Sequence, residues 1–125
     1  MKVSNGVIYS SQQNLIKIAR LDYPGLTSLK IKKFMDKYSA ELKTIDSVRT
    51  EIIKRNGELD KKTNQFVVKK AKEESTIKEI NELFESEIEL KDFGLKLSSF
   101  INQTISAADI EVLLQFFDND VESDK

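Results

Sequence analysis

Carboxylates and lysines are the side chains with which this chain could do chemistry, and little else is available. Its 125 residues include no cysteine, no histidine and no tryptophan. Thiolate nucleophiles, disulfides, thiolate or imidazole metal sites and every dyad or triad built on imidazole are therefore excluded. Acid–base work by carboxylates alone needs two of them brought together by the fold. The densest run is Glu85, Glu87 and Glu89, alternating with Ser86 and Ile88. That spacing describes the solvated edge of a strand, where charge also discourages edge-to-edge association. Asp118, Asp120 and Glu122 copy the first three ligand positions of a calcium loop, but Ser123 stands where its glycine belongs and no bidentate glutamate follows. The four glycines, at 6, 25, 57 and 94, lie far apart and build no phosphate-cradling loop. The expectation is a protein with no catalytic residue, no cofactor and no metal.

Lysines raise a different possibility. Lys30, Lys32, Lys33 and Lys37 fall together, as do Lys61, Lys62, Lys69, Lys70 and Lys72, and such clusters can meet a phosphate backbone. Asp36, Glu41, Asp46 and Glu51 interrupt the first cluster, arginines number three, and no aromatic platform for stacking bases is present. Nucleic-acid binding is accordingly the alternative reading. The overall charge of -1 conceals an asymmetry: residues 1–72 carry 16 lysines and arginines against 7 acids, while residues 73–125 carry 4 against 14. Halves of +9 and -10 either fold against each other or give a dipolar surface that orients a partner or a second copy.

These side chains must be positioned mainly by helices. A first helix is expected to start at an Asn5 cap, run for about fifteen residues with Ile8, Leu15, Ile18 and Ala19 on one face, and stop near Leu21 before Tyr23-Pro24-Gly25. A long second helix, capped by Thr27 or Ser28 and ended by a left-handed stop at Asn56-Gly57, carries Ile31, Phe34, Tyr38, Leu42, Ile45, Val48 and Ile52 at steps of three and four. Ile31, Tyr38, Ile45 and Ile52 also keep a seven-residue, coiled-coil-like spacing, but the companion positions Glu41 and Arg55 are charged. Residues 57–68 read as a polar loop with one short strand at Gln65–Val68. A third helix from about Lys70, with Ile77, Ile80, Phe84 and Ile88 on its face, forms an antiparallel hairpin with the second. Alternation around Ile88 and Leu90, and again around Leu95 and Leu97, predicts a two-stranded ribbon turning at Asp92-Phe93-Gly94. Ser106-Ala107-Ala108-Asp109 opens a fourth helix with an acidic capping box.

The fold class is thus mainly α: four helices with a long antiparallel helical hairpin and a small two-stranded ribbon, in one domain over residues 1–117 with an acidic flexible tail over 118–125. A chain of this length can bury about two-thirds of its unfolded surface and fold unaided. No segment has the apolar centre of a signal peptide or the length to span a bilayer, so a cytoplasmic protein with no membrane partner is expected, and the sequon Asn102-Gln103-Thr104 reads as chance.

The opening Met1-Lys2-Val3-Ser4-Asn5, the long charged helix ending in Ile53-Lys54-Arg55-Asn56-Gly57, and the stretch Ile80-Asn81-Glu82-Leu83-Phe84-Glu85-Ser86-Glu87-Ile88-Glu89-Leu90 before a Ser-initiated helix resemble a family of small uncharacterised proteins of tailed phages infecting Gram-positive bacteria, known as a domain of unknown function. Members often carry a proline soon after the acidic strand, where this chain has Phe93-Gly94. The resemblance implies a phage protein in the host bacterial cytoplasm or in the virion, and it assigns no site residue. The leading expectation is a non-enzymatic accessory protein acting through protein contacts as a homo-oligomer, in virion morphogenesis or against a host or defence protein. Lys30, Lys32, Lys33, Met35, Lys37 and Leu42 are its candidate interaction surface, because Met35 and Leu42 lie beside the main apolar stripe of the second helix.

Overall fold

A computed structural model describes residues 1–121. Its first helix is capped by Ser4 rather than Asn5: the Ser4 Oγ accepts the Val7 N–H at 3.2 Å. Asn5 thereby becomes the first helical residue and turns its side chain elsewhere, its Nδ2 donating to the Leu83 carbonyl at 2.9 Å. The single helix expected here is divided at Ser11 into α1 (Asn5–Ser10) and α2 (Gln12–Ala19). The Ser11 hydroxyl donates back to the Val7 carbonyl at 2.6 Å, the kind of back-bonding that bends helices. With the bend in place Ile8, Leu15 and Ile18 all reach the interior.

The next helix, α3 (Gly25–Arg55), is the spine of the molecule, with a length of about 46 Å. Its N-cap is Pro24, three to four residues ahead of the expected Thr27 or Ser28 cap. Ile31, Phe34, Tyr38, Ile45 and Ile52 are buried as their spacing predicts, whereas Leu42 is half-buried and Val48 is exposed. The helix ends at Asn56 with a negative φ of -98°, and Gly57 does not take the left-handed conformation either, so the expected left-handed stop is not used. Asn56 instead closes the last turn itself, its Nδ2 donating to the Ile52 carbonyl at 2.9 Å.

The β structure differs most from expectation. Residues 57–68 form a true hairpin, β2 (Gly57–Asp60) against β3 (Gln65–Val68), in the register Gly57↔Val68 to Asp60↔Gln65. Its turn is fixed by Asp60, whose Oδ1 accepts the Lys62 N–H at 2.9 Å, and by Asn64 at φ 57°, a conformation asparagine tolerates. The ribbon expected between residues 88 and 97 does not form. β4 (Glu87–Glu89) pairs antiparallel with β1 (Lys2–Ser4), placing Val3 opposite Ile88 and Lys2 opposite Glu89. Opposite charges directly across a ladder favour that register, and Val3 points into the core. Leu95 and Leu97 are both buried, which strand alternation around Lys96 would also allow, but the backbone goes into a 3-10 turn over Leu97–Ser99.

A 3-10 turn (Lys70–Lys72) leads into α4 (Glu73–Glu85), which runs back along the C-terminal part of α3. Thr76 is its buried residue, Ile80, Leu83 and Phe84 are half-buried, and Ile77 is exposed, contrary to the expected face. Finally α5 (Ala107–Phe116) starts where predicted, the Ser106 Oγ accepting the Asp109 N–H at 3.1 Å. The fold is therefore mainly helical, with five α-helices and two separate two-stranded sheets among the described residues. Aromatic rings of Phe34, Tyr38, Phe116 and Phe117 meet at the centre of the core. The tail expected from Asp118 onward is described as far as Val121. There the Asp118 carbonyl accepts the Leu97 N–H at 2.9 Å and the Asp120 carboxylate accepts both donors of Ser98. Residues 122–125 lie outside the described residues. Among the described residues no helix is long and apolar enough to cross a membrane.

Candidate functional site

The six residues singled out on α3 have different surroundings in the structure. Lys32 pairs with Asp36 at 2.6 Å and Lys37 with Glu41 at 3.0 Å, each one helical turn away. Lys33 is exposed, with no ion pair among the described residues. Lys30 is half-buried, its chain laid over the turn at Gly94, where an added Cβ would stand 3.5 Å from the lysine Nζ. Met35 and Leu42 are half-buried and pack against the protein's own core. The apolar positions beside the stripe are thus covered from within by α1, α2 and their neighbours.

Exposed apolar side chains occur at both ends of α3: Leu26 and Leu29 at its start, and a further group beyond its C-terminal end. Leu59, Phe66 and Val67 of the β2–β3 hairpin are all exposed, and Ile77 at the start of α4 is 60% exposed. Leu59 and Phe66 are cross-strand partners and share one face, against which Lys54 sets its ammonium 5.6 Å from the Phe66 ring centre. Val67 and Glu58 share the other face, where Glu58 pairs with Lys69 at 3.1 Å. Among the described residues the hairpin has no third strand, so both of its edges are open there. Sequence reasoning places Phe66 and Val67 in a strand but passes over Leu59; the signal available was apolar positions on either side of the turn-prone stretch Lys61-Lys62-Thr63-Asn64.

Gly57 anchors this ribbon to α3. A Cβ there would lie 2.8 Å from both the Ile53 and the Val67 carbonyl oxygens, backbone atoms that cannot step aside alone. Gly57→Ala is expected to destabilise the ribbon by about 2 kcal/mol. Hydrogen exchange should show amides of residues 58–68 losing protection while those in the middle of α3 keep theirs; unchanged protection across the hairpin would contradict the close approach.

Beside the hairpin, α3 and α4 enclose an open groove of about 510 Å³ walled by Val48, Glu51 and Arg55 on one side and Glu79, Glu82 and Leu83 on the other, with Asn5 and Ser86 at its end. Arg55 is neutralised by Glu79 across it. A second concavity of about 310 Å³ lies over Phe34, Phe116 and Phe117, with Lys91, Asp92, Lys96 and Asp118 at its rim. Among the described residues no three carboxylates converge as a metal ion would require. The carboxyls with displaced pKa values are all displaced downward: Glu89 by the Met1 ammonium, Asp109 chiefly by the Asn14 amide, Asp120 by Ser98. A general acid needs the opposite displacement. Burial pushes the Tyr23 hydroxyl up to about 12, which keeps it a neutral donor to the Ile18 carbonyl.

Comparison of the chain with models of protein families, with curated proteins and with solved structures finds no match.

Proposed function

We propose that the protein is a non-enzymatic accessory protein that works through protein–protein contacts made by the β2–β3 hairpin and the adjoining ends of α3 and α4. The observation that carries this reading is the hairpin itself: two strands whose edges are open among the described residues, with Leu59 and Phe66 exposed on one face and Val67 exposed on the otherwise polar other face. An isolated two-stranded ribbon is marginal alone, and an apolar one gains by being covered. The phage setting rests on the resemblance of the N-terminal segment, the long helix and the acidic strand, and in that setting the contact serves virion morphogenesis or inhibition of a host or defence protein. The nucleic-acid alternative loses Lys32, Lys37 and Lys69 of its nine lysines to carboxylates of the same chain and is kept as the second reading.

Val67 and Ile77 are both more than half exposed, so the double variant V67D/I77D should fold and melt only slightly below the parent, the loss coming from a carboxylate set across from Glu58. Affinity capture from infected cells is expected to retain a defined protein on the parent chain and to lose it on the variant. Retention of the same protein by both would place the contact elsewhere.

A further inference from the structure

The groove between α3 and α4 and the hairpin beside it have opposite chemical character. In the groove Arg55 is occupied by Glu79, which leaves Glu51 and Glu82 without an ion pair among the described residues. Asn5 is only 8% exposed and also lines the groove. Its amide Nδ2 is used on the Leu83 carbonyl, while its Oδ1 is a buried acceptor with no hydrogen-bond partner among the described residues. A buried polar atom left unsatisfied calls for an explanation. That oxygen is closed off from the surface, so the acceptors the groove presents are the two unpaired, exposed carboxylates, and it suits an occupant that brings cations. Val48 is exposed on its wall and offers that occupant an apolar contact.

The hairpin has the matching properties. Lys61 and Lys62 stand exposed at its turn, Lys70 and Lys72 just beyond its end, and Leu59 and Val67 supply apolar surface between them. The scale agrees as well: a four-residue strand spans about 13 Å, and the wall from Val48 to Arg55 about 11 Å. Both parts lie at one end of the molecule, since β2 follows α3 directly and the last turns of α3 form the groove wall. A patch that contains a cationic ridge next to an anionic groove is complementary to itself, and a two-fold axis lets each ridge enter the other copy's groove and closes the assembly.

We propose that the hairpin of one copy docks into the α3–α4 groove of a second copy, forming a two-fold dimer held by opposed charge. This rests on the reading of the hairpin as a protein-contact element and names its partner. Sedimentation of the full chain at about 0.1 mM is expected to show a dimer at about 0.05 M salt, with a dissociation constant at least about ten-fold weaker at about 1 M salt. K61E/K62E and E51K/E82K, all at exposed positions, should each be monomeric with the parent's melting temperature. Mixed in equal amounts, the two variants should recover the dimer, because every hairpin then meets a groove of opposite sign. Should E51K/E82K melt lower than the parent, E51Q/E82Q replaces it and is expected to weaken the parent dimer by about ten-fold. A parent chain that stays monomeric at low salt overturns the proposal, as does a dimer indifferent to these substitutions or a mixture that fails to associate. A monomer that still loses a captured foreign protein on V67D/I77D overturns the dimer while leaving the contact function intact.

Discussion

Phe34→Ala is expected to destabilise the fold by about 4 kcal/mol, more than any other single truncation considered for this chain. Its ring is 4% exposed and stands 4.9 Å from the centre of Phe117, 5.8 Å from Phe116, 6.1 Å from Tyr38 and 6.4 Å from Phe93. Those partners belong to different parts of the chain: Tyr38 to α3, Phe93 to the segment after β4, Phe116 and Phe117 to the end of α5. A cavity walled by separate elements collapses only if several move together, so the loss should sit high in the range for phenylalanine truncation. Edge-to-face and tilted aromatic pairs are lost in addition to buried area. For a domain of this size the melting temperature should fall by about 15 °C, and Phe34→Leu, which refills much of the volume, should lower stability by about 1–2 kcal/mol. A fall of less than about 5 °C for the alanine variant would show that Phe34 is not the centre on which α3 and α5 meet.

That α3 would carry such a centre was legible, because its apolar positions recur at helical spacing over thirty residues with neither proline nor glycine after Gly25 until Gly57. The Ser106 cap was legible for the same local reason: serine followed three residues later by an acid before an apolar run. What escaped depends on partners distant in sequence. β1 and β4 are three residues each and more than eighty apart, too short for alternation to announce them and too distant for either to imply the other. In the β2–β3 hairpin, Glu58 and Asp60 hid the alternation of β2, although Asp60 is there to tie the turn through Lys62. The bend at Ser11 rests on a hydroxyl choosing the Val7 carbonyl over solvent, which composition does not reveal. The candidate site shows the same limit. Periodicity places Met35 and Leu42 beside the stripe of α3, but whether a flanking position is covered depends on how far α1 and α2 wrap around that helix. Phe66 and Val67 were visible as strand formers; their exposure depends on whether another element packs on the ribbon's faces, which local pattern does not reveal.

Charge was the other legible feature, and its meaning is now divided. Of the six ion pairs among the described residues, three join the basic first 72 residues to the acidic remainder: Lys17–Asp109, Arg55–Glu79 and the Met1 ammonium with Glu89. The other three stay within the first 72 residues. Opposite halves do attract across the fold, but only partly, and Glu51, Glu82, Lys61 and Lys62 are among the charges left over at the hairpin end. Exposed pairs contribute little to stability, so the one whose carboxylate is buried should matter most.

That carboxylate is Asp109, 2% exposed at the start of α5. It accepts the Asn14 amide at 2.9 Å and the Lys17 ammonium at 2.9 Å, and so ties α5 to α2. The Lys17 side chain is 66% exposed and regains water if the pair is broken, so the cost of Asp109→Ala comes from the vacated volume and the Asn14 donor left in a covered site. About 2–3 kcal/mol is expected, measured by urea unfolding at neutral pH. Asp109→Asn keeps the shape and one acceptor and should lose about 1 kcal/mol. The Asn14 amide, then Lys17, holds the Asp109 carboxyl below the usual aspartate range against the opposing effect of burial. A carboxyl depressed by folding adds stability above its unfolded pKa of about 3.9, and that contribution drains away as the pH falls through the lower folded value. The parent should therefore lose stability below about pH 4 that Asp109→Asn does not lose, and the gap between the two should narrow steadily with acidification. A gap of constant size from about pH 6 down to about pH 2 would mean that shape, and not the ionised carboxylate, joins α5 to α2.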